Sequence, residues 1–200
     1  MRFVYFWRRM LGTIIALGFS WASATSPVAP VPDEAKQLTE SQGAMELAES
    51  QGAKEIAPGS REWERILPVA QNLKLDGEAA TKAKKPTLIF FNLTGCHYCR
   101  GALREVIVPM FRNAGWRAAI EFRQVTIDDG KTLIDFNGKA IDNIDFAKQR
   151  KGTFTPTVML VDGAGQLLGD PIVGIANFDF YGGYVDALAK KAIEEMRARP

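Results

Sequence analysis

The chain has 200 residues, 46% of them hydrophobic, and a formal net charge of +2. That length fills one good core, and the near-neutral balance argues against nucleic acid as the main partner. The only cysteines are Cys96 and Cys99 and the only histidine is His97. This excludes a structural disulfide framework, a multi-histidine metal site, and a cysteine nucleophile served by a distant histidine.

At the start of the chain, Arg2, Arg8 and Arg9 stand around and before an apolar run from Met10 to Phe19, and Ala22-Ser23-Ala24 follows as a small-residue cleavage site. Residues 1–24 thus have the three-part pattern of a secretory signal peptide. The run is short against the roughly 20 apolar residues of a membrane span. The alternative is an uncleaved N-terminal anchor facing the periplasm, because residues 4–7 extend the apolar character. No cysteine follows the cleavage site, which excludes a lipoprotein. Without the leader arginines, 22 basic residues face 23 acidic ones.

Residues 25–60 are rich in Pro, Ala, Gln, Glu and Ser, and read as a flexible linker. They hold a near-repeat, Ser41-Gln42-Gly43-Ala44-Met45-Glu46-Leu47-Ala48-Glu49 and then Ser50-Gln51-Gly52-Ala53-Lys54-Glu55-Ile56-Ala57-Pro58. Two copies are too few for a solenoid. Residues 61–200 form the globular domain.

Residues 61–67 read as a short helix stopped by Pro68, and 78–85 as a second one stopped by Pro86. Leu88 to Phe91 are an apolar run of strand length. A turn follows, and Cys96-His97-Tyr98-Cys99 opens a helix whose apolar face carries Leu103, Val106, Ile107, Met110 and Ala114. Pro109 should kink that helix and Gly115 should end it. Residues 120–128 read as a second strand, parallel to the first because a helix joins them. Asn137-Gly138 signals a type I′ hairpin over 133–141. A short helix at 143–151 turns Ile144 and either Phe146 or Ala147 inward. A β-branched strand at 157–161 turns through Asp162-Gly163-Ala164-Gly165 and pairs with a strand near 172–174. The last helix, 178–197, carries Tyr181, Tyr184, Val185, Leu188, Ala192 and Ile193 as its core stripe.

Two cysteines three apart at a helix start suit redox chemistry. Unpaired backbone N–H groups and the helix dipole favour a thiolate there. A free thiol near pKa ~8.5 falls to roughly 3.5–7.5 in such settings. An inert disulfide closing so small a loop would constrain the unfolded chain little. Cys96 is then the exposed nucleophile and Cys99 the partly buried resolving thiol. His97, if protonated, tunes the pair by stabilising the neighbouring thiolate, and Tyr98 is either part of that tuning or surface packing. Zinc needs more ligands than Cys96, His97 and Cys99 supply, while two-coordinate Cu(I) on the thiols is a binding-protein alternative. Gly163-Ala164-Gly165 with Gly169 is a hairpin turn rather than a dinucleotide loop, because no helix opens after it. Asp128-Asp129 reads as a solvated strand end.

The strand before Gly95-Cys96-His97-Tyr98-Cys99, together with Phe154-Thr155-Pro156-Thr157, resembles the thioredoxin-like superfamily over residues 75–195. More narrowly, Asp135-Phe136-Asn137-Gly138 with the Thr155-Pro156 pair and Asp162-Gly163 resembles SoxW-type periplasmic thioredoxin-related proteins. The resemblance implies an α/β thioredoxin-like fold: a central mixed sheet flanked by helices, with a small hairpin insertion. It implies a cis Thr155–Pro156 bond beside the cysteines, where the Thr155 backbone pairs with a substrate strand. It also implies an exported, periplasmic thiol–disulfide oxidoreductase that needs no cofactor and no metal, acts as a monomer on protein thiol or disulfide substrates, and is recharged by a membrane electron donor. A disulfide isomerase or oxidase and a Cu(I) chaperone are the alternatives. Two departures stand out. Gly95 replaces the tryptophan of thioredoxins, and Phe90 stands where they carry a buried aspartate.

Overall fold

A computed structural model describes residues 55–199. The expected leader 1–24 and the near-repeat up to Lys54 lie outside the described residues. The four-stranded sheet has the order β2-β1-β5-β6, formed by β1 (Thr87–Asn92), β2 (Glu121–Thr126), β5 (Thr157–Val161) and β6 (Ile172–Val173). β1 lies parallel to β2 in the register Leu88↔Phe122 and antiparallel to β5 in the register Ile89↔Met159; β6 is antiparallel to β5. Between β2 and β5 the chain makes the small hairpin β3 (Thr132–Ile134) and β4 (Ala140–Asp142). This is the mixed α/β architecture that the sequence implies.

The continuous apolar run of β1 has a direct cause: both faces of the sheet are covered. Leu88 and Phe90 point to one core, with Leu103, Ile107, Phe122, Val158, Leu160, Tyr181 and Val185. Ile89 and Phe91 point to the other, with Leu73, Val125, Leu133, Phe146, Met159 and Val161. Each such buried side chain contributes about 1.5–3 kcal/mol relative to exposure. The first face is covered by α2 (His97–Ala102) and its continuation, and by α6 (Phe178–Ala198). The second is covered by α1 (Leu73–Lys82), the hairpin and α5 (Asn143–Arg150).

Several local expectations are corrected. α1 begins at Leu73 rather than at 78, because Asn72 caps it by accepting from the Leu75 N–H (3.1 Å). Residues 61–67 narrow to a 3₁₀ turn, Arg61–Arg65. The helix at the cysteines passes through a π-helical stretch, Leu103–Ile107, into α3 (Val108–Arg112). The wider turn lies just where the Pro109 ring would press on the carbonyl four residues earlier, so the proline is accommodated within the helix path. The helix ends at Asn113, not Gly115. Asn113 is extended and accepts from the Trp116 N–H (3.2 Å), starting a new short helix, α4 (Ala114–Ala119), with Ala114 exposed.

The hairpin has the expected pairing but a different turn. The Gly138 N–H donates to the Asp135 carbonyl, and Gly138 alone is left-handed (φ 82°). A type I′ turn would need Asn137 there too, so this is a three-residue connection. Asp135 decides it, because its carboxylate accepts from the N–H groups of both Asn137 and Lys139. In α5 the inward residues are Asn143, Phe146 and Ala147, and Ile144 faces out. On α6, Tyr184 is 61% exposed while Tyr181 is buried.

One connection was not legible in advance. Residues 68–70 run beside β2: Ala70 N–H donates to the Gln124 carbonyl (2.9 Å) and Gln124 N–H to the Pro68 carbonyl (2.8 Å). This covers the β2 edge and brings the 3₁₀ turn up to the cysteines.

Candidate functional site

β1 ends at Asn92, and Leu93 to Gly95 swing the chain into α2. Gly95 is left-handed (φ 72°), with nothing within 4 Å of where a Cβ would lie. Backbone conformation, not space, therefore favours glycine there. Cys96 is extended (φ −65°, ψ 116°) and caps α2, its Sγ accepting from the Cys99 N–H at 3.1 Å. The two cysteines are joined in a disulfide, their Cα atoms 5.2 Å apart. Cys96 is half-buried, whereas Cys99 is fully buried against the core face of β1.

The turn is held by two carboxylates. Asp128, just beyond β2, accepts from both the N–H (2.8 Å) and the hydroxyl (3.0 Å) of Thr94. It is therefore not merely a solvated strand end. Glu64 of the 3₁₀ turn accepts from the Gly95 N–H (3.2 Å) and from Arg100 Nη1 (3.2 Å). Beneath them, Gln124 Nε2 donates to the Glu64 carbonyl (2.8 Å), and the Thr126 hydroxyl donates to Asn92 Oδ1 (3.1 Å). Position 90 is the buried Phe90, so no acid approaches the cysteines from that strand position.

Thr155 and Pro156 come from the loop before β5. Their peptide bond is cis, Pro156 is buried, and the Thr155 hydroxyl lies 3.9 Å from Cys96 Sγ. The Pro156 carbonyl accepts from the Gly174 N–H (2.7 Å), which joins this loop to the end of β6. His97 is exposed and meets Tyr98 edge-on, centroids 5.8 Å apart. Tyr98 is 57% exposed and stacks on Phe178 at 6.4 Å with an interplanar angle of 9°. Phe178 comes so close because position 101 of α2 is glycine; a Cβ there would lie 2.6 Å from the Phe178 ring. A cleft of about 640 Å³ beside His97 is bordered by Arg100, Arg104, Phe178 and Gly182.

All six residues singled out in the sequence, Cys96, His97, Tyr98, Cys99, Thr155 and Pro156, thus meet at one end of the sheet. Glu64, Asp128 and Phe178 also stand there and carried no local signal. Each reaches the site from a distant stretch, and nothing about a lone Glu or Phe marks where tertiary packing will deliver it. Among the described residues no cluster of three His, Cys, Asp or Glu could hold a metal ion.

The arrangement can make and break one disulfide at a helix N-terminus, with one sulfur reachable and the other enclosed. Solved structures of similar shape include a thioredoxin-fold protein from Helicobacter pylori (17% identity, TM-score 0.45, covering 70% of this chain and 96% of that one). Mitochondrial thioredoxin 3 of Saccharomyces cerevisiae in its oxidised form is similar as well (21% identity, TM-score 0.42, covering 64% and 97%). So is the oxidised C-terminal domain of DsbD from Neisseria meningitidis (15% identity, TM-score 0.40, covering 60% and 97%). No curated protein matches the sequence. The family of thioredoxin-like domains matches residues 73–188, more than half of the chain and the stretch that carries both cysteines. The chain therefore belongs to the thioredoxin-like domain family and is a thiol–disulfide oxidoreductase.

Proposed function

We propose that this protein is an exported, monomeric reductase of protein disulfides. The observation that carries the reading is the asymmetry of the pair: Cys96 is half-buried and Cys99 fully buried. The Cys96 thiolate attacks one sulfur of a substrate disulfide. The substrate S–S bond breaks, a mixed disulfide with Cys96 forms, and one substrate thiolate leaves. Cys99, as thiolate, then attacks Cys96 Sγ. The Cys96–Cys99 bond forms and the second substrate thiolate leaves. The substrate gains two electrons and the enzyme loses two, while the two protons of the enzyme dithiol pass through solvent to the substrate thiols.

Thr155 and Pro156 form the ledge on which a substrate segment lies next to Cys96, and Tyr98 with Phe178 offers it an aromatic flank. The Ala22-Ser23-Ala24 pattern supports export, with residues 1–24 as leader, 25–60 as linker and 61–200 as the working domain. The resemblance to SoxW-type proteins supports the periplasm and the reducing direction. That compartment is kept oxidising, so a membrane electron donor must regenerate the dithiol.

The test is the reduction potential of the pair, measured against glutathione, together with reduction of insulin. The expected value lies nearer the roughly −270 mV of thioredoxin than the roughly −120 mV of a strong oxidant. A charge at ~4 Å in water is worth about 1 kcal/mol, so exposed His97 moves the potential by only a few tens of millivolts. A value near the oxidising limit would make this an oxidase instead.

A further inference from the structure

Only 10% of the Glu64 side chain is exposed, and only 17% of that of Arg100. Glu64 Oε1 takes the Gly95 N–H, one peptide bond before Cys96, and the guanidinium of Arg100, the residue after Cys99. A partly buried charge is screened far less than a surface one. Glu64 is anchored from behind, because the buried side chain of Gln124 donates to the Glu64 backbone carbonyl. Arg61 Nε also lies 3.6 Å from Glu64 Oε2, and Asp128 holds the same turn through the Thr94 N–H. His97 sits exposed beside Cys96.

We propose that Glu64 is a positioning residue that holds the redox turn and neutralises Arg100, so that the pair stays reducing. The inference rests on the thiol–disulfide reading above. Its sign follows from charge. The reduced form carries a thiolate and the disulfide carries none. A bare cation beside the turn therefore favours the reduced form and raises the potential, and a bare anion lowers it. Paired with Glu64, Arg100 has little net effect. Alone, it would make the protein a better oxidant.

Glu64→Gln keeps an oxygen for the Gly95 N–H and removes only the charge. In the glutathione equilibrium it should favour the reduced form three- to tenfold, which is about 15–30 mV. The Cys96 pKa, read from alkylation rate against pH, should fall. Arg100→Gln should move both in the opposite direction, and Glu64→Gln/Arg100→Gln should return close to the parent values. A purely structural role would lower the unfolding temperature and leave the equilibrium alone. Single variants that change the equilibrium less than twofold, or both in one direction, overturn the proposal. Should Glu64→Gln not fold, the direction of the Arg100→Gln shift decides by itself. If the parent protein never equilibrates with glutathione, the oxidoreductase reading fails, and the inference with it.

Discussion

The two sulfurs differ by burial, and this makes their roles separable by single changes. Cys99→Ser leaves Cys96 able to attack but removes the thiol that releases the product. Covalent partner adducts sensitive to reductant should accumulate on non-reducing gels, while Cys96→Ser should give none; the opposite pattern would reverse the roles. A second residue-scale prediction concerns acid. Burial pushes the Asp162 carboxyl up, but Arg199 (2.6 Å) and the N–H groups of Gln166 and Ala164 pull it down further, below the usual carboxylate range. Asp135 is also held low, chiefly by the Lys139 N–H. A carboxyl whose folded pKa lies below its unfolded value of about 3.9 adds stability above that pH, and this is lost as pH falls through the folded pKa. Asp162→Asn should lower stability near neutral pH by about 1 kcal/mol and flatten the acid limb. Urea unfolding at a series of pH values reads both, and an unchanged limb would remove Asp162 from this role.

Among elements, the most demanding contact lies between α1 and the turn after β5. Gly77 is buried in α1, and a Cβ there would lie within bonding-clash distance of the Gly163 carbonyl oxygen; one on Gly163 would collide with Thr81 and Gly77. Gly→Ala inside a helix ordinarily stabilises by up to about 1 kcal/mol. Here the neighbour is backbone and cannot swing aside, so Gly77→Ala should destabilise by about 1–3 kcal/mol. Thermal unfolding of Gly77→Ala beside Gly101→Ala separates the cases, because at Gly101 the obstacle is the free end of the Phe178 ring. A stabilised Gly77→Ala protein would show that α1 and the turn are not locked together. The packing thus requires glycine at position 77 in mid-helix.

For the whole molecule, the proposed export makes a direct statement about mass. Protein recovered from the periplasm should begin at Thr25 and lack residues 1–24. A full-length mass confined to the membrane fraction would favour the anchor instead. The two cores on the faces of one sheet place the cysteines at the end of β1, and Thr155 and Pro156 at the start of the neighbouring β5. The active end is thus assembled from residues that lie 59 positions apart in the chain, as the Cys96–Thr155 contact shows.

The resemblance to the thioredoxin-like superfamily implied Thr155 and Pro156 beside the cysteines, whereas strand periodicity and the Cys-x-x-Cys spacing were enough to read the parallel β1–β2 pair, the β5–β6 hairpin and two cysteines at a helix start. These are local signals: alternation, caps and fixed spacings act over a few residues. The tertiary structure decided the rest. It exposed Tyr184 and Ile144, whereas the start of α1 at Leu73 and the stop at Asn113 follow local caps that accept from an N–H three residues on. It also laid residues 68–70 along β2 and so delivered Glu64 to the turn. Such outcomes depend on which faces of the sheet are covered and on which distant side chain reaches an open N–H. No window of the sequence contains both partners.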